Sequence, residues 1–157
     1  MKIGVLSDTH LHTVTDDFKK VVDNLFADTD LILHAGDIVA GPVLQYLENH
    51  GCEAVRGNMD LPEVVQSLPI KRVVKAEGYK IGMVHGFGAP RGLAEVLRKE
   101  FDDIDCLVFG HSHQAMNQVV GNELWFNPGS ATDMSGRGAT VGILEITDRL
   151  TGRIVTI

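Results

Sequence analysis

Positive charge is scarce in this chain. Its 157 residues carry 14 lysines and arginines against 21 aspartates and glutamates, a formal net charge of −7. A protein that grips nucleic acid by its phosphates needs clustered basic side chains, so stable nucleic-acid binding is not expected. The deficit does not exclude a phosphate substrate, because bound cations reverse a local field. Cysteine is nearly absent too. Cys52 and Cys106 are the only two, and each begins an expected buried strand. They read as free thiols suited to a reducing cytosol, not as a disulfide framework. Long apolar runs are also missing. The N-terminal run ends by Leu6, too short for a signal peptide, and no segment reaches the length needed to span a bilayer. Repeats, linkers and low-complexity segments are lacking as well. The reading is therefore a cytoplasmic protein without a membrane partner, residues 1–157 forming one domain.

What is present fits a globular chain, with 44% hydrophobic and 22% charged residues. A chain of this length can bury roughly 68–70% of its unfolded surface. Lys2 to Leu6 reads as a strand closed by Ser7-Asp8-Thr9-His10. A helix is predicted over Thr15 to Ala27, where Phe18, Val21, Val22, Leu25 and Phe26 recur at helical spacing. A second strand covers Leu31 to Leu33. Pro42 opens a second helix that Gly51 closes. Cys52 to Val55 forms a third strand. This strand–helix alternation implies parallel pairing. After Pro69 the texture changes. Lys71 to Ala76 and Tyr79 to Val84 read as a hairpin turning at Glu77-Gly78. Pro90 to Phe101 reads as a helix and Cys106 to Phe109 as a short strand. Strands at Ala115 to Val120, Glu123 to Phe126, Ala139 to Thr147 and Arg153 to Ile157 follow, with Thr151-Gly152 as a turn signal. The fold class is mixed α/β.

The chemistry gathers at predicted strand ends. Asp8 with His10, Asp37, Asn58, His85, and His111 with His113 all stand there. One residue separates the partners in Asp8-x-His10 and in His111-x-His113, so both members of a pair can address one centre. Imidazole and carboxylate donors suit Mn, Ni, Fe, Zn or Co better than Ca or Mg alone. Counting donors gives two centres: Asp8, His10, Asp37 and His113 at one, and Asp37, Asn58, His85 and His111 at the other. Asp37 has two oxygens and can bridge them. Asp37, Asn58 and His34 are the expected catalytic residues, His34 by orienting a ligand or a phosphate oxygen. Arg56, Arg91 and Arg137 are candidate phosphate contacts, and His12 is a candidate substrate contact. No serine or cysteine nucleophile is evident, which favours direct attack by water.

In these motifs the sequence resembles the calcineurin-like metallophosphoesterase superfamily. The motifs are Asp8-Thr9-His10, Gly36-Asp37, Gly57-Asn58, His85-Gly86 and Gly110-His111-Ser112-His113, in the family's order. Asn127-Pro128-Gly129-Ser130, with Arg137 downstream, is similar to the small single-domain bacterial and archaeal phosphodiesterase branch. The resemblance spans Met1 to about Glu145. It implies a four-layer αββα sandwich of two β-sheets flanked by helices, with a two-metal site at the strand ends, manganese being the first choice of ion.

The expected reaction is phosphodiester hydrolysis by a metal-bound hydroxide, on a small phosphodiester or nucleotide-like substrate. Two divalent ions outweigh two carboxylates and a hydroxide by about one charge, which favours an anionic transition state. Many members place a histidine after the asparagine, where it looks like the proton donor to the leaving group. Here Met59 stands in that place, and a thioether donates no proton. Good leaving groups are therefore expected to be favoured. The alternative is a non-catalytic module, since the same fold resembles a eukaryotic scaffold subunit of the retromer coat. A homo-oligomer is compatible with the sequence, but no feature of it requires one.

Overall fold

The computed structural model describes residues 1–132, 136 and 138–157. Its strands are β1 (Lys2–Leu6), β2 (Leu31–His34), β3 (Cys52–Ala54), β4 (Lys71–Ala76), β5 (Tyr79–Val84), β6 (Cys106–Phe109), β7 (Met116–Val120), β8 (Glu123–Asn127), β9 (Thr140–Ile146) and β10 (Leu150–Thr156). The helices are α1 (Asp16–Lys20), α2 (Gly41–Asn49), α3 (Pro62–Ser67) and α4 (Leu93–Arg98), and a π-helical turn at Val21–Leu25 continues α1.

Two five-stranded sheets form, in the orders β10-β9-β1-β2-β3 and β4-β5-β6-β8-β7. Side-chain alternation along the strands sorts the apolar residues into three layers of core. Ile3 and Val5 of β1 join Leu33, Ile81, Met83, Val108, Phe126 and Leu144 between the sheets. Leu6 and Ile32 face the other way, onto Phe18, Val22, Val43 and Leu47 of the first helices. Leu107 and Phe109 meet Leu93 and Leu97 of α4. The result is the αββα sandwich.

Glycine decides how closely the sheets approach. A Cβ on Gly142 of β9 or Gly152 of β10 would overlap the Phe126 ring. Phe126, fully buried, thus seats in a notch of the opposite sheet, and burying such a side chain contributes about 1.5–3 kcal/mol. Gly4 plays the same part for Phe26, whose ring carbons lie 2.8 Å from the site of its missing Cβ.

Several expected boundaries shift for local reasons. The first helix ends in a π turn, with the Phe26 N–H donating to the Val21 carbonyl five residues back at 3.0 Å. The helix expected from Pro90 starts only at Leu93, because Gly92 sits at φ +71, outside helical space. Helix α3 was not foreseen, since Val64 is its only buried side chain and one residue makes no periodic pattern. Gly152 is a strand residue paired with Leu144, not a turn; the β9–β10 connection lies at residues 147–149. The hairpin at Glu77-Gly78 is as expected, with φ of +47 and +86 at the two turn residues, as a primed turn requires.

Candidate metal centre at the strand ends

Strands β1, β2 and β3 run parallel, and so do β5, β6 and β8. Their C-terminal ends gather on one edge of the sandwich, where open α/β sheets collect ligands. Asp8, Asp37 and Asn58 leave the first sheet there, and His85 and His111 leave the second. The backbone at this edge is strained. Among the described residues, seven non-glycine residues have positive φ, and five of them are Asp8 (+52), His10 (+49), Asp37 (+59), His111 (+65) and His113 (+54). Such conformations cost of order 1–3 kcal/mol each and persist where the surroundings impose them. In both D-x-H and H-x-H the left-handed residues are the two donors, which turns each pair inward together.

The side chains converge closely. Asp37 Oδ2 lies 3.2 Å from His85 Nε2 and 3.6 Å from His10 Nε2. Asp8 Oδ1 lies 3.2 Å from His113 Nε2 and 3.9 Å from both His10 and His85 Nε2. His10 and His113 Nε2 are 3.3 Å apart. Asn58 Oδ1 stands 3.1 Å from His85 Nε2 and 3.0 Å from His111 Nδ1. All seven expected metal-site residues are therefore together. The cluster contains two tight groups able to hold a cation, Asp8–His10–His113 and Asp8–Asp37–His85. Asp8 belongs to both and Asp37 to one, although Asp37 Oδ2 also faces His10 of the other group.

The acids are held by the backbone. Asp37 Oδ1 accepts from the Met59 N–H at 2.7 Å. Asp8 accepts from the His111 N–H through both oxygens, at 3.2 and 3.1 Å. Close approach requires glycines: a Cβ at Gly57 would overlap Asp37 Oδ1 and its backbone nitrogen, and one at Gly110 would press on Asp8 Oδ2. The imidazoles are held by carbonyls. His85 Nδ1 meets Ala35 O at 2.8 Å and His111 Nε2 meets Gly88 O at 2.9 Å. A ring nitrogen facing a carbonyl must carry the proton, which leaves His85 Nε2 and His111 Nδ1 as lone-pair donors toward the cluster.

Electrostatics follow the same geometry. Burial pulls the His85 pKa down, but the Asp37 hydrogen bond and the Asp8 and Asp37 charges outweigh it and raise it. Burial pushes Asp37 up, but His85, the Met59 N–H and His10 hold its carboxyl below the usual range. His113 is raised by its contact with Asp8. His10 is lowered, chiefly by burial.

The profile of the calcineurin-like phosphoesterase superfamily domain matches residues 1–149. The chain belongs to this superfamily. A probable metallophosphoesterase of Methanothermobacter thermautotrophicus is 35% identical over 149 residues, covering 93% of this chain and 86% of that protein. The structure of an archaeal phosphodiesterase superposes with a TM-score of 0.76 at 24% identity, covering 100% of both chains. Vps29 of Chaetomium thermophilum superposes with a TM-score of 0.77 at 20% identity, over 100% of this chain and 97% of that one. The last two likenesses establish the fold.

Other expected site residues of this metallophosphoesterase fall elsewhere. His34 is fully buried. Its Nδ1 accepts from the Gly36 N–H at 3.2 Å, so the proton sits on Nε2 and is donated to Thr9 Oγ1 at 2.5 Å. Burial pushes its pKa down to about 3, which keeps it neutral. Both ring nitrogens are thus engaged within the fold. What it does is tie the Thr9 turn to the Gly36 turn. Arg56 is half-buried and donates to the Val65 carbonyl at 3.1 Å. Arg91 and His12 are exposed. Arg137 lies outside the described residues.

Three braces escaped the sequence reading. Asp60 accepts from the Val39 N–H and the Gly57 N–H, each at 2.7 Å, one through each oxygen. It holds the Asn58 turn against the Asp37 loop and has no acid role free. Ser130 Oγ bonds the Asp8 carbonyl at 2.9 Å. Asn127 Nδ2 donates to the Gly110 carbonyl at 3.0 Å and the Ser112 hydroxyl at 3.1 Å. The Asn127-Pro128-Gly129-Ser130 motif was readable; its grip on both donor turns needed the fold.

Proposed function

We propose that this chain is a phosphodiesterase that works with two divalent transition-metal ions and water as the attacking group. One observation carries the reading. His85 Nε2, Asp37 Oδ2 and Asn58 Oδ1 converge within 3.2 Å of His85 Nε2, and the Ala35 carbonyl has already claimed the His85 proton at Nδ1. A carboxylate and an amide oxygen facing one imidazole nitrogen draw a cation, whether a proton or a metal ion, to that point. The mixed N and O donor set fits a divalent transition metal, with manganese first among Mn, Ni, Fe, Zn and Co. Asp8, His10, Asp37 and His113 would hold one ion, and Asp37, Asn58, His85 and His111 the other.

Two such ions supply Lewis-acid stabilisation of a phosphoryl group and a more acidic water. The chain supplies positioning. Asp37 keeps Oδ1 fixed on the Met59 N–H and leaves Oδ2 facing both groups of imidazoles. Among the described residues no proton donor for the leaving group follows Asn58 in the chain, because Met59 carries none and both oxygens of Asp60 accept backbone hydrogen bonds. Good leaving groups are therefore favoured. The scaffold reading rests on the likeness to Vps29, and the full set of competent donors weighs against it.

The test is metal analysis of the purified protein, with hydrolysis of bis(para-nitrophenyl) phosphate and of para-nitrophenyl phosphate. Metal-dependent turnover of the diester is expected, with a rate that falls steeply as leaving-group pKa rises across aryl diesters. A flat dependence would reveal an acid that this reading lacks. Absence of any metal-dependent turnover would overturn the catalytic reading itself.

A further inference from the structure

We infer that the cleft beside Asn58 and His85 binds an aromatic ring carried by the phosphoester, with Phe87 as the stacking surface. The inference rests on the phosphodiesterase reading and names one arm of its substrate. The cleft has a volume of about 240 Å³ and is lined by Arg56, Asn58, Ile70, Lys71, His85 and Phe87 among others. It opens directly onto two residues of the donor cluster, so a phosphate held there would direct one ester arm into it. Its volume lies below the roughly 300–1,000 Å³ of pockets for drug-sized ligands, which suits a single ring system.

The lining is chemically unusual for this surface. Phe87 is 62% exposed and Ile70 is 61% exposed. Every other described phenylalanine, tyrosine and tryptophan is buried or half-buried. A lone exposed apolar residue needs no explanation, but two of the most exposed ones share this cleft. Gly86 and Gly88, at φ +116 and +78, flank Phe87 and hold it out from the strand end. At the other side stands Arg56, half-buried, with no carboxylate paired to it among the described residues. One of its nitrogens is anchored on Val65 O. An unpaired guanidinium beside an apolar face suits a ring with hydrogen-bond acceptors on its edge, as in a nucleobase, though a plain aryl ring would share the stacking. Lys71 is already engaged by Glu100, which leaves Arg56 as the cationic partner.

The test is calorimetric titration of the manganese-supplied protein with phenyl phosphate, cyclohexyl phosphate and adenosine monophosphate. Wild type is expected to bind phenyl phosphate about tenfold more tightly than cyclohexyl phosphate, the low end of what stacking on an aromatic side chain delivers. Phe87→Ala should erase that preference and Phe87→Tyr should keep it. Adenosine monophosphate binding tighter than phenyl phosphate, with the difference lost in Arg56→Gln, identifies the ring as a base; equal affinities identify it as a simple aryl group. Equal binding of the phenyl and cyclohexyl esters by wild type, or a preference that survives Phe87→Ala, overturns the inference. A ring preference without any diester hydrolysis would instead overturn the catalytic reading and leave the cleft standing.

Discussion

The two sheets contribute different chemistry to one site. The first supplies the oxygen donors together with one imidazole, His10, and its two carboxylates are almost sealed: Asp8 is 0% and Asp37 2% exposed. Backbone N–H groups and glycine cradles fix them on every side. The second supplies imidazoles that become more open toward the rim. His85 is buried, whereas His111 and His113 are half-exposed. The negative charge is thus rigid and inside, and the neutral donors close over it from outside. A site arranged this way prepays the unfavourable meeting of two carboxylates during folding, so a cation entering from solvent meets a field already formed.

The sharpest way to break the comparison is to remove the acid whose Oδ2 faces both groups of imidazoles. Asp37→Ala should lower kcat/KM for a diester by about 10³ or more, since electrostatic groups of this kind contribute at least 10²–10³ singly and Asp37 addresses both halves of the cluster. Metal content should fall to half the wild-type value or less. Full occupancy with activity lost would assign Asp37 a different role from the one that joins the two halves.

A smaller change probes the cradle rather than the charge. Gly57→Ala places a methyl group where Asp37 Oδ1 and its amide nitrogen now lie. The Asp37 turn must retreat, which costs about 1–3 kcal/mol as overpacking does. A displacement near 1 Å is worth about 10² in rate. Thermal melts and steady-state kinetics read both effects. Wild-type stability in this variant would mean that the first-sheet loops are far softer than their hydrogen bonds suggest.

These effects bear on what could be read from sequence. The strand ends were legible because apolar runs stop abruptly at Asp8, Asp37, His85 and His111, and spacing alone paired Asp8 with His10 and His111 with His113. The two-sheet layering was not legible from periodicity. It depends on Phe126 meeting Gly142 and Gly152 from the other sheet, a contact between distant segments that no local pattern encodes. The partners of His34 were hidden for a related reason. This histidine stands three residues before Asp37 and shares a donor's chemistry, and only the fold reveals that Thr9 and Gly36 consume both its nitrogens. The brace at Asp60 was hidden likewise, since its two backbone partners are 3 and 21 residues away.

The least disruptive test falls on the second sheet's rim. The His113 side chain is 30% exposed and touches the cluster through Asp8 and His10. Truncating it opens the site to water without opening a cavity in the core. His113→Ala should therefore change stability by less than about 1 kcal/mol, as surface substitutions do. It should weaken metal binding and lower activity by about 10–100-fold, with much of the activity recovered as metal is added, because water can take the vacated position while Asp8 stays fixed by the His111 N–H. The asymmetry between the sheets predicts that excess metal rescues His113→Ala and does not rescue Asp37→Ala. Equal rescue of both variants would mean that the rigid inner acids and the open outer imidazoles are interchangeable, and the division of labour between the two sheets would not hold.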